Sequence, residues 1–172
     1  KILFLAPQPF YCERGTPMRA RNILRAHGEA GHEVDVLCYP FGEDIELPGL
    51  RIHRSPGLPG LRGVKVGPSL AKFPLDGLMY MRARSMCRRK RYDVIQAVEE
   101  SAFFARGLAR RHGARLVYDM GSLISDHLRY SGFIRGGPLW HLAARLEPGG
   151  DGRIRVSKNA LRRLCARAKI SL

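Results

Sequence analysis

Acidic residues are scarce in this chain. Fifteen Asp and Glu face thirty Lys and Arg over 172 residues, a formal net charge of +15. That balance draws the protein toward anions: nucleic acid, a phospholipid surface, a nucleotide or a phosphorylated substrate. It also serves plain solubility, and it does not choose a fold. Cysteine is sparse as well. Cys12, Cys38, Cys87 and Cys165 form no C-x-x-C pair and no metal-ligand spacing with His, so no zinc module and no other metal site is expected. They read as separate, mostly buried thiols of a reducing compartment. No segment is long and apolar enough to span a membrane. The opening Lys1-Ile2-Leu3-Phe4-Leu5-Ala6 stops at Pro7, too short for a signal-peptide core. These features point to a cytoplasmic protein. Disorder is excluded by an ordinary balance of 45% hydrophobic and 26% charged residues, and the length suits one domain with one core.

Two nucleotide-binding signatures are also missing. There is no G-x-G-x-x-G and no G-x-x-x-x-G-K-[ST], which argues against a dinucleotide fingerprint and a P-loop hydrolase. The Gly-rich stretch at residues 57–63 does not lie between a strand and a helix, and it reads as a loop. No cofactor is implied by these residues.

What is present is an alternation of apolar strands and helical periods. Residues 2–6 form a continuous apolar run ending in Pro and Gly punctuation, the mark of a buried parallel strand. Thr16 can cap a helix and Pro17 suits its first position. Ala20, Ile23, Leu24 and His27 then recur at helical spacing until Gly28 and Gly31. Residues 33–38 make a second strand, completing a βαβ unit. Pro and Gly dominate residues 40–68, interrupted by a short strand at 50–53. A helix is predicted over 69–90, with Pro74 and Gly77 as points of break or kink. A strand at 93–98, a helix at 101–111 and a strand at 115–119 follow. Helical stretches at 123–130 and 138–146, a turn at 149–152, a strand at 154–157, a helix at 158–168 and a terminal strand at 170–172 complete the reading. The alternation predicts an α/β, Rossmann-like parallel sheet with helices on both faces. Residues 2–6, 34–38, 94–98 and 116–118 should be neighbouring central strands.

In such a sheet ligands gather beyond the carboxyl ends of the strands. The candidate site is therefore residues 7–16, 99–101 and 119–125. Arg14, Gly15 and Thr16 open a helix whose free N–H groups and dipole suit an anion. Gly15 permits close approach, and Arg14 or Arg19 adds charge. The competing reading is a simple helix cap. Glu99 and Glu100 end one strand and Asp119 the next, with Ser122, Ser125, Asp126 and His127 soon after. Such groups bind hydroxyls or act as acid or base. Asp119, ending a buried strand, is the candidate catalytic group. Arg14, Gly15, Thr16, Glu99 and Ser122 are candidate substrate ligands, although Ser101 and Ser122 also suit helix capping. His27 reads as a satisfied core histidine and His32 as a turn residue. Arg82, Arg84, Arg88, Arg89, Lys90 and Arg91 crowd one helix end. They complement its dipole, or they meet an anionic surface such as lipid headgroups. Nucleic acid is disfavoured, since aromatic residues are not interleaved with the basic run and no nucleic-acid module is visible.

Several segments carry a family resemblance in order: Lys1-Ile-Leu-Phe-Leu-Ala-Pro; Gly15-Thr-Pro-Met-Arg-Ala-Arg-Asn-Ile-Leu-Arg-Ala; and Gly28-Glu-Ala-Gly31-His-Glu-Val-Asp-Val-Leu. Tyr92-Asp-Val-Ile-Gln-Ala-Val, Ala114-Arg-Leu-Val-Tyr-Asp119 and Ile154-Arg-Val-Ser157-Lys-Asn-Ala-Leu-Arg-Arg-Leu continue it. Nearly the whole chain resembles the N-terminal domain of family-4-type retaining glycosyltransferases with the GT-B fold. The resemblance implies an acceptor-binding domain, residues 1–172, and a C-terminal domain beyond Leu172 that binds the nucleotide-sugar. Catalysis in the cleft between them needs no essential metal. It implicates Gly15 and Thr16 in contacting donor phosphate or acceptor. Many members carry a Gly-Gly pair where this chain has Arg14-Gly15, and a functional His where it has Asp119. On this reading the complete protein transfers sugar and the 172-residue chain alone does not. The donor sugar and the acceptor are not named by these residues. The alternative is a non-catalytic α/β module that binds anionic partners through its basic face.

Overall fold

The first strand, β1 (Ile2–Ala6), is buried at all five positions, as a strand flanked by two others and covered on both faces must be. In a computed structural model describing residues 1–13, 15–64 and 72–120, it is followed by α1 (Gly15–Glu29), β2 (Val34–Cys38) and β3 (Leu50–Arg54). Next come α2 (Lys72–Arg89), β4 (Val94–Val98), a 3-10 turn at Glu99–Ser101, α3 (Ala102–His112) and β5 (Arg115–Asp119). The strands form one sheet in the order β3-β2-β1-β4-β5, and every pairing is parallel. This is the expected Rossmann-like α/β sheet. The expected elements at 123–172 lie outside the described residues.

Strand alternation sorts the core into two layers. Ile2, Phe4, Ala6, Val34, Val36 and Cys38 point to one face, where Ala20 and Leu24 of α1 cover them. Leu3, Leu5, Leu37, Ile95 and Ala97 point to the other, under Leu75, Met79 and Ala83 of α2 and Ala105 and Leu108 of α3. The strand order reverses between β1 and β4, which makes the crevice beyond their carboxyl ends the natural ligand site.

Pro74 and Gly77 do not break α2. Pro74 is its third residue, where a missing N–H costs no intrahelical bond. Gly77 faces open space and carries only its usual propensity cost of about 1 kcal/mol. The first stretch of the Pro- and Gly-rich excursion is also more ordered than its composition suggests. Tyr11 and Glu43 exchange backbone hydrogen bonds of 2.6 and 2.9 Å. Arg54 donates from Nη1 to the carbonyls of Phe10 at 3.0 Å and Phe41 at 2.7 Å. A Cβ at Gly42, whose φ is +106°, would meet the Phe10 backbone at 2.6 Å, so this close approach requires glycine. The loop after β1 is thereby held against the loop after β2.

At the amino end of the sheet, Asp35 is 3% exposed. It accepts hydrogen bonds from Lys90 Nζ and Tyr92 Oη, each at 2.7 Å, and meets His53 Nε2 at 3.2 Å. Lys90, grouped by sequence with the surface cations, is turned inward by this carboxylate. Burial alone would raise the Asp35 pKa; the Lys90, Tyr92 and His53 hydrogen bonds outweigh it and hold the carboxyl below its usual range. His27 bonds Gln96 at 2.9 Å, and burial lowers its pKa; it is the satisfied core histidine expected. Among the described residues no helix is long and apolar enough to cross a membrane.

Candidate functional site

Three strand ends and one helix start meet at the carboxyl edge. β1 delivers the chain through residues 7–13 to the first turn of α1. β4 ends at Val98, directly before Glu99, and β5 at Asp119. Thr16 Oγ1 donates to Glu99 Oε1 at 3.3 Å, joining α1 to the end of β4. Arg19, one turn further along α1, pairs with the Asp119 carboxylate and joins α1 to the end of β5. Residues distant in sequence are thus brought together as expected for Thr16, Glu99 and Asp119. Arg19, read only as added charge, is the partner of Asp119. Arg14 and Ser122 lie outside the described residues.

Two backbone features stand out at this edge. Glu99 has φ +48°, a left-handed conformation that a non-glycine residue adopts at a cost of order 1–3 kcal/mol and that clusters at functional sites. At Gly15 an added Cβ would find no heavy atom within 4 Å. Neither packing nor a positive φ demands glycine there.

Ser101 corrects the capping expectation. It sits at the start of α3 without a side-chain cap bond. Its hydroxyl donates instead to the carbonyls of Val98 at 2.7 Å and Leu5 at 3.3 Å. Fully buried, it ties the exits of β4 and β1 together.

Behind this edge lies a group of residues that, apart from Glu100, sequence reading missed. Lys72 Nζ donates to Glu100 Oε1 at 2.7 Å. Tyr39 Oη, just past β2, donates to Asp76 Oδ1 at 2.6 Å. Burial pushes the Asp76 carboxyl up to about 6; the Tyr39 bond opposes the rise and neighbouring Glu100 adds to it. Burial likewise pushes the Tyr39 hydroxyl well above its usual range. The available signals were a tyrosine directly after a buried strand and the single acidic residue of α2. Among the described residues, no three His, Cys, Asp or Glu side chains gather as a metal site would require. A shallow cleft of about 300 Å³ lies at the opposite, amino edge beside Asp35, Arg51 and Lys90. Its Asp35 and Lys90 are bonded to each other, so it is a seam of the fold.

The carboxyl edge therefore offers carboxylates to accept hydroxyl protons, a threonine hydroxyl, an arginine, and a helix start open to an anion. The model of the glycosyl transferase 4-like domain matches residues 14–169, nearly the whole chain. The chain belongs to the glycosyl transferase 4-like family. No curated protein matches it. In this glycosyl transferase 4-like domain the matched region begins at the α1 start and includes Thr16, Arg19, Glu99 and Asp119.

Proposed function

We propose that this domain is the acceptor-binding half of a sugar-transfer enzyme, working with a second domain that holds a nucleotide-sugar. Family membership supports the transferase class. The observation that carries the site is the convergence of Thr16 with Glu99 and Arg19 with Asp119 at the point where strand order reverses.

The reaction needs two walls. One holds the acceptor hydroxyl; the other holds the activated sugar and its departing diphosphate. Thr16, Glu99 and Asp119 supply hydrogen-bonding groups for the acceptor, with Ser122 as a further ligand. Asp119, fixed by Arg19, stands where an acceptor proton is received. Arg14 and Gly15, at the N-terminal end of α1, meet the donor phosphates, and the helix dipole favours the negative charge that builds as the sugar leaves. Holding both reactants in one geometry supplies much of the rate.

The test is transfer or hydrolysis of a panel of nucleotide-sugars by the 172-residue chain and by the complete gene product. Turnover is expected from the complete product alone. Turnover by the shorter chain would mean a self-sufficient site. None by either would return the protein to a non-catalytic α/β module for anionic partners.

A further inference from the structure

The helices α2 and α3 lie side by side on one face of the sheet and share a core layer, with Tyr80 and Phe104 in edge contact at 5.8 Å. Their outer surface is unusual in three respects.

It is free of acid. The single acidic residue of α2 is Asp76, which turns inward to Tyr39, and α3 has none. It is rich in arginine. Arg82, Arg88, Arg89, Arg106, Arg110 and Arg111 are all exposed, and among the described residues none of them forms an ion pair. The dipoles of the two helices account for cations in their last turns, but Arg82 and Arg106 stand well before those turns.

The surface also exposes large apolar side chains. Phe73 is 66% exposed, Met81 58% and Phe103 42%. Helical spacing places Phe73, Met81 and Arg88 on one outward stripe, and Phe103, Arg106 and Arg110 on another. Both helices begin at the carboxyl edge of the sheet, as the Lys72–Glu100 bond requires of α2. Phe73 and Phe103 therefore border the candidate site, and the terminal arginines lie about 22 Å further along α2.

We propose that the outer face of the α2–α3 layer is a docking surface for an anionic phospholipid membrane. Cations that form no ion pair among the described residues suit the headgroup phosphates, and each contributes about fivefold in affinity near such a surface. Exposed Phe and Met side chains suit the boundary between headgroups and acyl chains. Nucleic acid would use the cations but leave the Met81 and Phe73 side chains in water. This orientation brings the rim of the candidate site to the membrane.

The test is sedimentation of the purified chain with vesicles of phosphatidylcholine alone or mixed with phosphatidylglycerol, at low and high salt. Binding is expected to the mixed vesicles, at least tenfold weaker to neutral ones, and weakened by salt. Arg88→Glu should lower it about tenfold and Phe73→Ser severalfold, with unchanged circular dichroism. Arg25→Glu makes the same charge change on α1, across the sheet, and should alter binding less than twofold. Equal binding to neutral vesicles, binding to neither, an Arg25→Glu loss as large as that of Arg88→Glu, or displacement of the protein from vesicles by equimolar duplex DNA would each overturn the proposal.

Discussion

Two aspartates at opposite ends of one sheet have similar neighbours and opposite chemistry. Asp35, at the amino end, accepts from Tyr92; Asp76, at the carboxyl end, accepts from Tyr39. Each has a lysine in its neighbourhood. Lys90 bonds Asp35 directly, and His53 adds a contact. Lys72 instead bonds Glu100, and Glu100 itself presses on Asp76. The Asp35 carboxyl is held below its usual range, while that of Asp76 is raised to about 6. A buried carboxylate with its donors in place is scaffold. One that keeps a single donor beside another acid is poised to exchange a proton near neutral pH. The amino end of this sheet is closed in that sense, and Asp76 at the carboxyl end is not.

The largest effect expected from this contrast is on stability. Asp35→Ala strands Lys90 and Tyr92 and should cost about 2–3 kcal/mol, below the full value for a buried pair because Lys90 keeps partial contact with water. Since the folded pKa of Asp35 is depressed, its contribution is present above the ordinary carboxyl pKa and is lost as pH falls through the folded value. Urea unfolding of wild type and variant should therefore converge in strongly acidic solution.

Asp76 should behave in the reverse sense. Its folded pKa is raised, so the folded state binds the extra proton between the ordinary carboxyl pKa and about 6, and stability falls as pH rises through that window. Asp76→Asn keeps an acceptor for Tyr39 and removes the buried charge. It should stabilise the protein by roughly 1–2 kcal/mol above pH 7 and by little near pH 4. A destabilised Asn variant at neutral pH would erase the distinction between the two ends.

The smallest structural effect belongs to Gly15. A valine there meets open space and should shift unfolding by no more than about 0.5 kcal/mol. In the complete enzyme the same change should raise the acceptor KM or the donor KM severalfold. A wild-type KM for both substrates would remove Gly15 from the site.

How much of this was legible in the sequence follows from the range of the interactions. Strand β1 announces itself as a short continuous apolar run, because a parallel strand covered on both faces needs no polar alternation; β2, β4 and β5 follow from the alternation of strands with helices. The carboxyl-edge candidates Thr16, Glu99 and Asp119 followed from topology alone. The side-chain pairs elsewhere in the domain did not. Tyr39 and Asp76 are 37 residues apart and Tyr92 and Asp35 57 apart, and no local period links them. Lys90 looked like one more cation in a basic run because the carboxylate that turns it inward sits on another strand. Pro74 looked like a helix breaker, yet in the first turn of α2 its missing N–H costs no intrahelical bond. Ser101 looked like a cap because the carbonyls it bonds belong to β1 and β4.

On the proposed function, the Arg19–Asp119 end of the sheet serves transfer and the Asp35 end serves the fold. The direct measurement is kcat/KM for sugar transfer by the complete gene product carrying Asp119→Asn, with its melting temperature recorded alongside. A fall of about a hundredfold or more is expected, with the melting temperature within a few degrees of wild type. Unchanged kcat/KM, or a loss that appears only together with unfolding, would contradict it.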